Sequence, residues 1–206
     1  MTVKINADTS DGLKLVSDTS GTIDLQSNGT TRVSMDAAGN LTATSFVGDG
    51  SSLTGLGGGI TQADIWRTTS NITADTGGVS NFERADDAKT TKVGDGVSFS
   101  TPYFSFPETG IYLIQSQVQF APVNDSDNVI WSTVYYDNST SSSDTLAECQ
   151  GSDANTSAFS QCILDVTDTT NDKVYFKVIS LTSGGNVTGN TNTNNTCVLF
   201  LRLGDT

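Results

Sequence analysis

Polar and apolar side chains alternate most cleanly just after a turn at residues 107–110. Tyr112, Ile114, Val118 and Phe120 fall on one side of this stretch, and Gln115, Gln117 and Gln119 on the other. A period of two marks a strand with one apolar face. The polar face of a central strand must meet either water or another subunit. Similar runs predict strands at 65–69, 97–106, 111–120, 129–136, 145–149, 158–166, 173–181 and 196–203, joined by loops rich in Asn, Ser, Thr and Gly. No helical periodicity persists beyond two turns. The pattern is all-β, and this many short antiparallel strands predict a sandwich.

The first part of the chain has a different rhythm. From Asp11 to about Gly50 it is cut into short units, 13–17, 22–26, 31–35 and 41–46, by turn signals at Asp11-Gly12, Ser20-Gly21, Asn28-Gly29 and Gly39-Asn40. Each unit holds two or three apolar residues. That is too little apolar area to offset the entropy of ordering the backbone, so the region is either a low-complexity arm or a shaft whose other walls come from neighbouring chains. The glycines and serines of 45–59 fit a hinge, with Phe46, Leu53 and Leu56 as anchors. Both tryptophans, all five tyrosines and most of the nine phenylalanines follow Gly59. The predicted organisation is therefore a short-strand shaft or attachment arm at 1–59 and a globular head at 60–206.

Charge narrows the partners. Lys and Arg number 10 against 23 Asp and Glu, a net charge of −13, and the head carries 17 of those acids. An acidic surface repels phosphate backbones and anionic lipid, so neither nucleic acid nor membrane insertion is expected. The N-terminus has no apolar signal core, and a product made in the cytoplasm is expected. Without a single histidine, Ser-His and Cys-His nucleophile schemes and a Cys/His zinc set are excluded. No cofactor and no enzymatic activity are expected. Cys149 and Cys162 lie near facing ends of two candidate strands, where a bridge and two buried thiols both fit; Cys197 reads as a small core residue. Residues 123–128 space oxygen side chains as a calcium loop would, but lack its glycine and distal glutamate, and read as a solvated turn. Asp86, Asp87, Asp165 and Asp168 are the only candidates for a glycosidase pair, with nothing to place them at a working separation. The polar loops 138–144, 151–157 and 184–195 suit an exposed tip that contacts glycans or proteins, or a surface that contacts nothing.

Two resemblances add to this. The segment 45–59, with the strand-turn units before it, resembles the shafts of virion fibre proteins from marine tailed phages. Further on, Pro107-Glu-Thr-Gly-Ile-Tyr-Leu-Ile, then Asn171-Asp-Lys-Val-Tyr-Phe-Lys-Val, then a glycine-bearing excursion and Thr196-Cys-Val-Leu-Phe-Leu-Arg-Leu resemble, in order and spacing, the tumour necrosis factor and complement globular-head superfamily. That resemblance covers about 93–204 and implies a jelly-roll sandwich assembled as a homotrimer. The chain lacks the collagen repeats and membrane anchor of such proteins, so their signalling roles do not transfer.

The resemblance also implies that the strand after Gly110, the Lys173 strand and the last strand share the sheet facing the threefold axis. Alternation then assigns Tyr112, Ile114, Val118, Val174, Phe176, Val178, Leu199 and Leu201 to the core. Leu113, Gln115, Gln117, Tyr175, Ile179, Val198, Phe200 and Arg202 go to the trimer interface, with Leu113, Tyr175 and Phe200 around the axis. The combined expectation is a phage virion structural protein, a tail fibre or spike with an outward host-adhesion head. Residues 1–59 would hold other virion proteins, and the head loops a host glycan or protein. A capsid decoration protein or head fibre of the same build, and a bacterial carbohydrate-binding module outside any virion, are the alternatives.

Overall fold

The structure is a computed structural model that describes residues 21–45, 59–85, 90–121, 128–152, 156–181 and 184–206. The chain divides into two compact units, Met1–Gly55 and Leu56–Thr206. In the first, β1 (Ile23–Ser27), β2 (Thr30–Met35) and β3 (Leu41–Ala43) form a three-stranded antiparallel sheet. Its turns are encoded locally. Asn28 and Gly29 both take positive φ, 52° and 74°, as a two-residue turn matched to strand twist requires. The Asp36 carboxylate accepts from Ala38 N, Asn40 N and Asn40 Nδ2, which closes the second turn. The side-chain bond from Asn40 is the main cause holding the Asp36 carboxyl below its ordinary value. The predicted 13–17 unit and the anchors Phe46, Leu53 and Leu56 lie outside the described residues.

The second unit is the sandwich. One sheet runs β11 (Thr156–Val166), β8 (Gly110–Ala121), β14 (Cys197–Gly204), β4 (Ala63–Thr68) and β5 (Phe82–Arg84), with β13 (Asn186–Val187) pairing the far end of β8. The other runs β10 (Ser142–Gly151), β9 (Val129–Asp137), β12 (Asp172–Ile179), β7 (Tyr103–Ser105) and β6 (Ser98–Ser100). The chain crosses repeatedly between the two sheets, and every pairing is antiparallel. This is a jelly roll, as expected. The predicted strand at 97–106 is in fact a hairpin, β6–β7, folded at a cis Thr101–Pro102 bond.

The core between the sheets is aromatic. Trp131 stacks on Phe176 at 5.4 Å, and Phe104 meets Phe82 at 5.1 Å and Phe200 at 5.0 Å. Trp131 Nε1 donates across the gap to Ser116 Oγ at 3.1 Å, so the one polar atom of the largest core side chain is satisfied. At the sheet end, buried Asp64 accepts from Trp66 Nε1 and takes both Nε and Nη2 of Arg84, whose guanidinium lies 4.6 Å from the Trp66 ring centroid. The three cysteines are free thiols. Cys149 and Cys162 point inward from facing edge strands, and burial pushes both up to about 11. Such thiols stay protonated at neutral pH and are poor nucleophiles for forming a bridge.

Two predicted loops are structured differently. Residues 138–141 form a tight turn, with Asp137 accepting from Ser139 N and Thr140 Oγ1 and with Ser141 at φ 56°, because β10 begins at Ser142. The excursion 184–195 is tied down by Gly189 N to Asn71 Oδ1, Asn190 N to Thr68 O and Thr188 N to Gln119 O. Residues 191–193 of it are exposed.

Candidate subunit interface

β8 keeps the alternation its sequence announces: Tyr112, Ile114, Val118 and Phe120 are sealed between the sheets, while Leu113, Gln115 and Gln117 point out of the sandwich. Register carries that outward face across the whole sheet. Ile163 pairs Leu113, Leu113 pairs Leu201, and Leu201 pairs Ala63, giving one apolar row across four strands. The next row is Gln161, Gln115, Leu199 and Ile65. A third is Phe159, Gln117, Cys197, Arg67 and Glu83. Side chains directly opposite one another on adjacent strands share a face, so this is a single surface. The first two rows contain no charge. Phe159 and Ile163, with Gln161 between them, stand 61% and 65% exposed at its β11 edge, which is unusual for two large apolar residues on one sheet face.

The far end of the face is already covered by its own chain. Gln117 Nε2 donates to Asn194 O at 3.0 Å, and Gln119 N to Thr196 Oγ1. Arg67, 1% exposed, meets Glu83 at 2.8 Å. Gln117 is therefore engaged within the protomer at that point.

Several predicted interface positions require correction. Val198 and Phe200 are 0% and 1% exposed and belong to the core, while Leu199 and Leu201 point outward, the reverse of the expectation. The cause is that β14 is apolar on both faces, so a period of two fixes alternation but not its phase. Packing sets the phase: the Phe200 ring fills the space beside Phe104 and Phe106. Tyr175 and Ile179 are on β12, in the other sheet, and cannot share a face with Leu113. Tyr175 is instead edge-on to Tyr103, which stacks on Tyr136 at 4.7 Å.

Arg202 serves the β8 turn. Its Nε donates to Thr109 O at 2.9 Å, its guanidinium pairs with Glu108 at 3.4 Å and Asp205 at 2.5 Å, and it packs against Gly110. Gly110 has φ 143°, and a Cβ there would come within 2.5 Å of Arg202 Nε and Gly204 O, so the turn requires glycine. Phe159, Ile163, Leu199, Leu201 and Ile65 were missed as face residues. Their signal is strands, β11 and β14 above all, that carry large apolar side chains on both parities.

The other candidate chemistry is not brought together. Asp168 caps the β11–β12 turn through Thr170 N and Asn171 Nδ2, and the Asn171 bond chiefly lowers its pKa. Asp165 lies out on β11, across from Ile111. A carboxyl held ionised and committed to a turn is unsuited to general-acid work. Asp86, Asp87 and most of the 123–128 loop lie outside the described residues. Among the described residues no group of three or more His, Cys, Asp or Glu is placed to hold a metal ion, and no helix is long and apolar enough to cross a membrane.

No protein-family model matches the chain, and no curated protein matches it. Solved structures do. Murine APRIL at pH 8.5 superposes with TM-score 0.54 at 18% identity, covering 69% of this chain and 98% of that one. Eiger TNF from S. frugiperda gives 0.52 at 12% identity, covering 70% and 93%. The sandwich is thus similar in fold to these proteins, over nearly their whole length.

Proposed function

We propose that the chain is a homotrimeric structural protein of a tailed-phage particle. Residues 1–59 hold it to other virion proteins, and the jelly-roll heads serve host adhesion as a fibre or spike on the particle surface. The observation that carries the assembly is the pair of uncharged rows, one wholly apolar and one shared by Gln161, Gln115, Leu199 and Ile65, with exposed Ile163 and Phe159 along the β11 edge of the face. Burying a side chain of that size contributes about 1.5–3 kcal/mol relative to leaving it wet, and each copy contributes several. Net charge supports the choice of face: at −13, identical chains repel elsewhere and meet most cheaply where two rows carry no charge. The virion placement is supported by the sequence of the arm and its resemblance to phage fibre shafts.

Sedimentation of the purified chain tests the assembly; a three-chain mass at micromolar concentration is expected, and a stable monomer overturns it. Mass spectrometry and imaging of purified phage particles test the placement. Density at the tail supports a fibre or spike, density on the shell makes the same trimer a decoration protein, and absence from particles overturns the virion role.

A further inference from the structure

The β1–β3 sheet raises a separate question, because no described residue of 21–45 is buried. Its register is informative. Ile23 pairs Met35 and Met35 pairs Leu41; Leu25 pairs Val33 and Val33 pairs Ala43. Two cross-strand rows of three therefore place six apolar side chains on one face. Asp24, Ser34 and Thr42 form the row between them on the opposite face, joined by Thr31 and Gln26 through their side-chain bonds. The partition is complete: of the charges on the three strands, Asp24 lies in the middle row of the opposite face and Arg32 lies beside Ser34, Thr42 and Thr44 on that same face. Yet Leu25, Met35 and Leu41 are 51%, 40% and 53% exposed. Among the described residues these three strands have no dry core to hold them, whereas the register is specified by two well-formed turns.

We infer that this face is closed by the same face of other copies of the chain, so that the arm has a dry interior only in the assembled protein. The occupant follows from chemistry. A face with six apolar side chains and no charge offers nothing to an acidic or basic peptide, a sugar or a phosphate. It matches a surface of its own size and kind, and for a chain of net charge −13 this uncharged face is where copies approach without repulsion. The number of copies rests on the trimeric reading of the head; the closure itself does not. Closure makes the arm a second, independent assembly site.

The full-length chain tests this with two variants. One polarises the arm face (Leu25→Ser, Val33→Ser, Leu41→Ser); the other polarises the head face (Phe159→Asp, Ile163→Asp). Hydrogen exchange of peptides spanning 22–44 is read alongside sedimentation mass. In the unaltered protein the arm amides should be protected on the order of a hundredfold, and the arm variant should lose that protection while the head amides keep theirs. Met35 gives a readout without substitution: the only other methionine is Met1, and peroxide should oxidise Met35 slowly in the native assembly and quickly in the arm variant. Ser34→Thr, on the opposite face, should change neither.

The outcomes separate the two readings. A chain that remains assembled in the head variant but not in the arm variant supports closure of the arm and overturns the head interface. A chain that dissociates in the head variant, with arm exchange and Met35 oxidation as fast in the native protein as in the arm variant, overturns closure and leaves the head interface standing. A monomer with an unprotected arm overturns both.

Discussion

The two outer faces of the sandwich, one of five strands and one of six counting β13, are finished in opposite ways. On the β10–β9–β12–β7–β6 sheet, apart from Ile179 opposite Ile130, outward side chains satisfy one another: Tyr103 stacks on Tyr136, Tyr175 meets both edge-on, Lys177 lies 5.3 Å from the Tyr175 ring centroid, and Ser132 Oγ donates to Glu148 at 2.7 Å. Each aromatic body there carries a hydroxyl or a cation at its wet end. On the β11–β8–β14–β4–β5 sheet the outward residues include Ile163, Leu113, Leu201, Leu199 and Ile65, which have no polar atom to give to water, with Gln161 and Gln115 between them. The contrast teaches that apolar exposure alone is a poor guide to an interface. What distinguishes the second face is that its exposed groups have no way to be satisfied by solvent.

The sharpest way to break this comparison is to make both faces polar and weigh the result. Phe159→Asp with Ile163→Asp should weaken the assembly, read as a lower share of three-chain mass in sedimentation as the protein is diluted, and because both side chains are mostly exposed the melting free energy of the monomer should move by less than about 1 kcal/mol. Tyr103→Asp on the other face should leave the mass unchanged. A smaller effect is expected where the open face is already covered. Glu83→Ala strips the carboxylate from buried Arg67 and should cost about 2–3 kcal/mol in chemical denaturation, with Glu83→Gln recovering part of it. Tyr136→Ala, which removes half of the stacked tyrosine pair, should cost about 1 kcal/mol without altering the assembly.

The last and mildest test is alkali. Burial raises Tyr112 to about 12, and a hydrogen bond to Asp172 chiefly raises Tyr135 to about 12. Between pH 10 and 12 the unfolded chain loses phenol protons that the folded chain keeps, so stability is full below about pH 10 and falls as pH rises through that window. Tyr135→Phe should flatten the fall, measured as denaturation midpoint against pH.

How much of this was legible depended on whether a strand had one apolar parity or two. β8 announces its faces because Gln115, Gln117 and Gln119 occupy one parity, and the turn before it announces itself through Pro107 and Gly110. The Asn28-Gly29 turn was equally plain. β14 was not, since Val198 and Leu199 are interchangeable to a periodicity argument, and only the space beside Phe104 decides between them. Tyr175 was misplaced for a different reason. Its parity signals a face, but which sheet β12 joins is a matter of long-range pairing that no local pattern encodes. β10 was begun too late because Ser142, Ser143 and Asp144 are polar on both sides, as an edge strand exposed to water can be. The three-residue β5 was missed altogether, although it supplies both Glu83 and Arg84 to buried ion pairs.

The placement of the two indoles has a practical outcome. Trp66 and Trp131 are sealed inside the sandwich, and residues 1–59 contain neither tryptophan nor tyrosine. Intrinsic fluorescence is therefore a reporter of the head alone. A single sharp emission change on heating would say nothing of when the arm opens, and the two events have to be watched with different light.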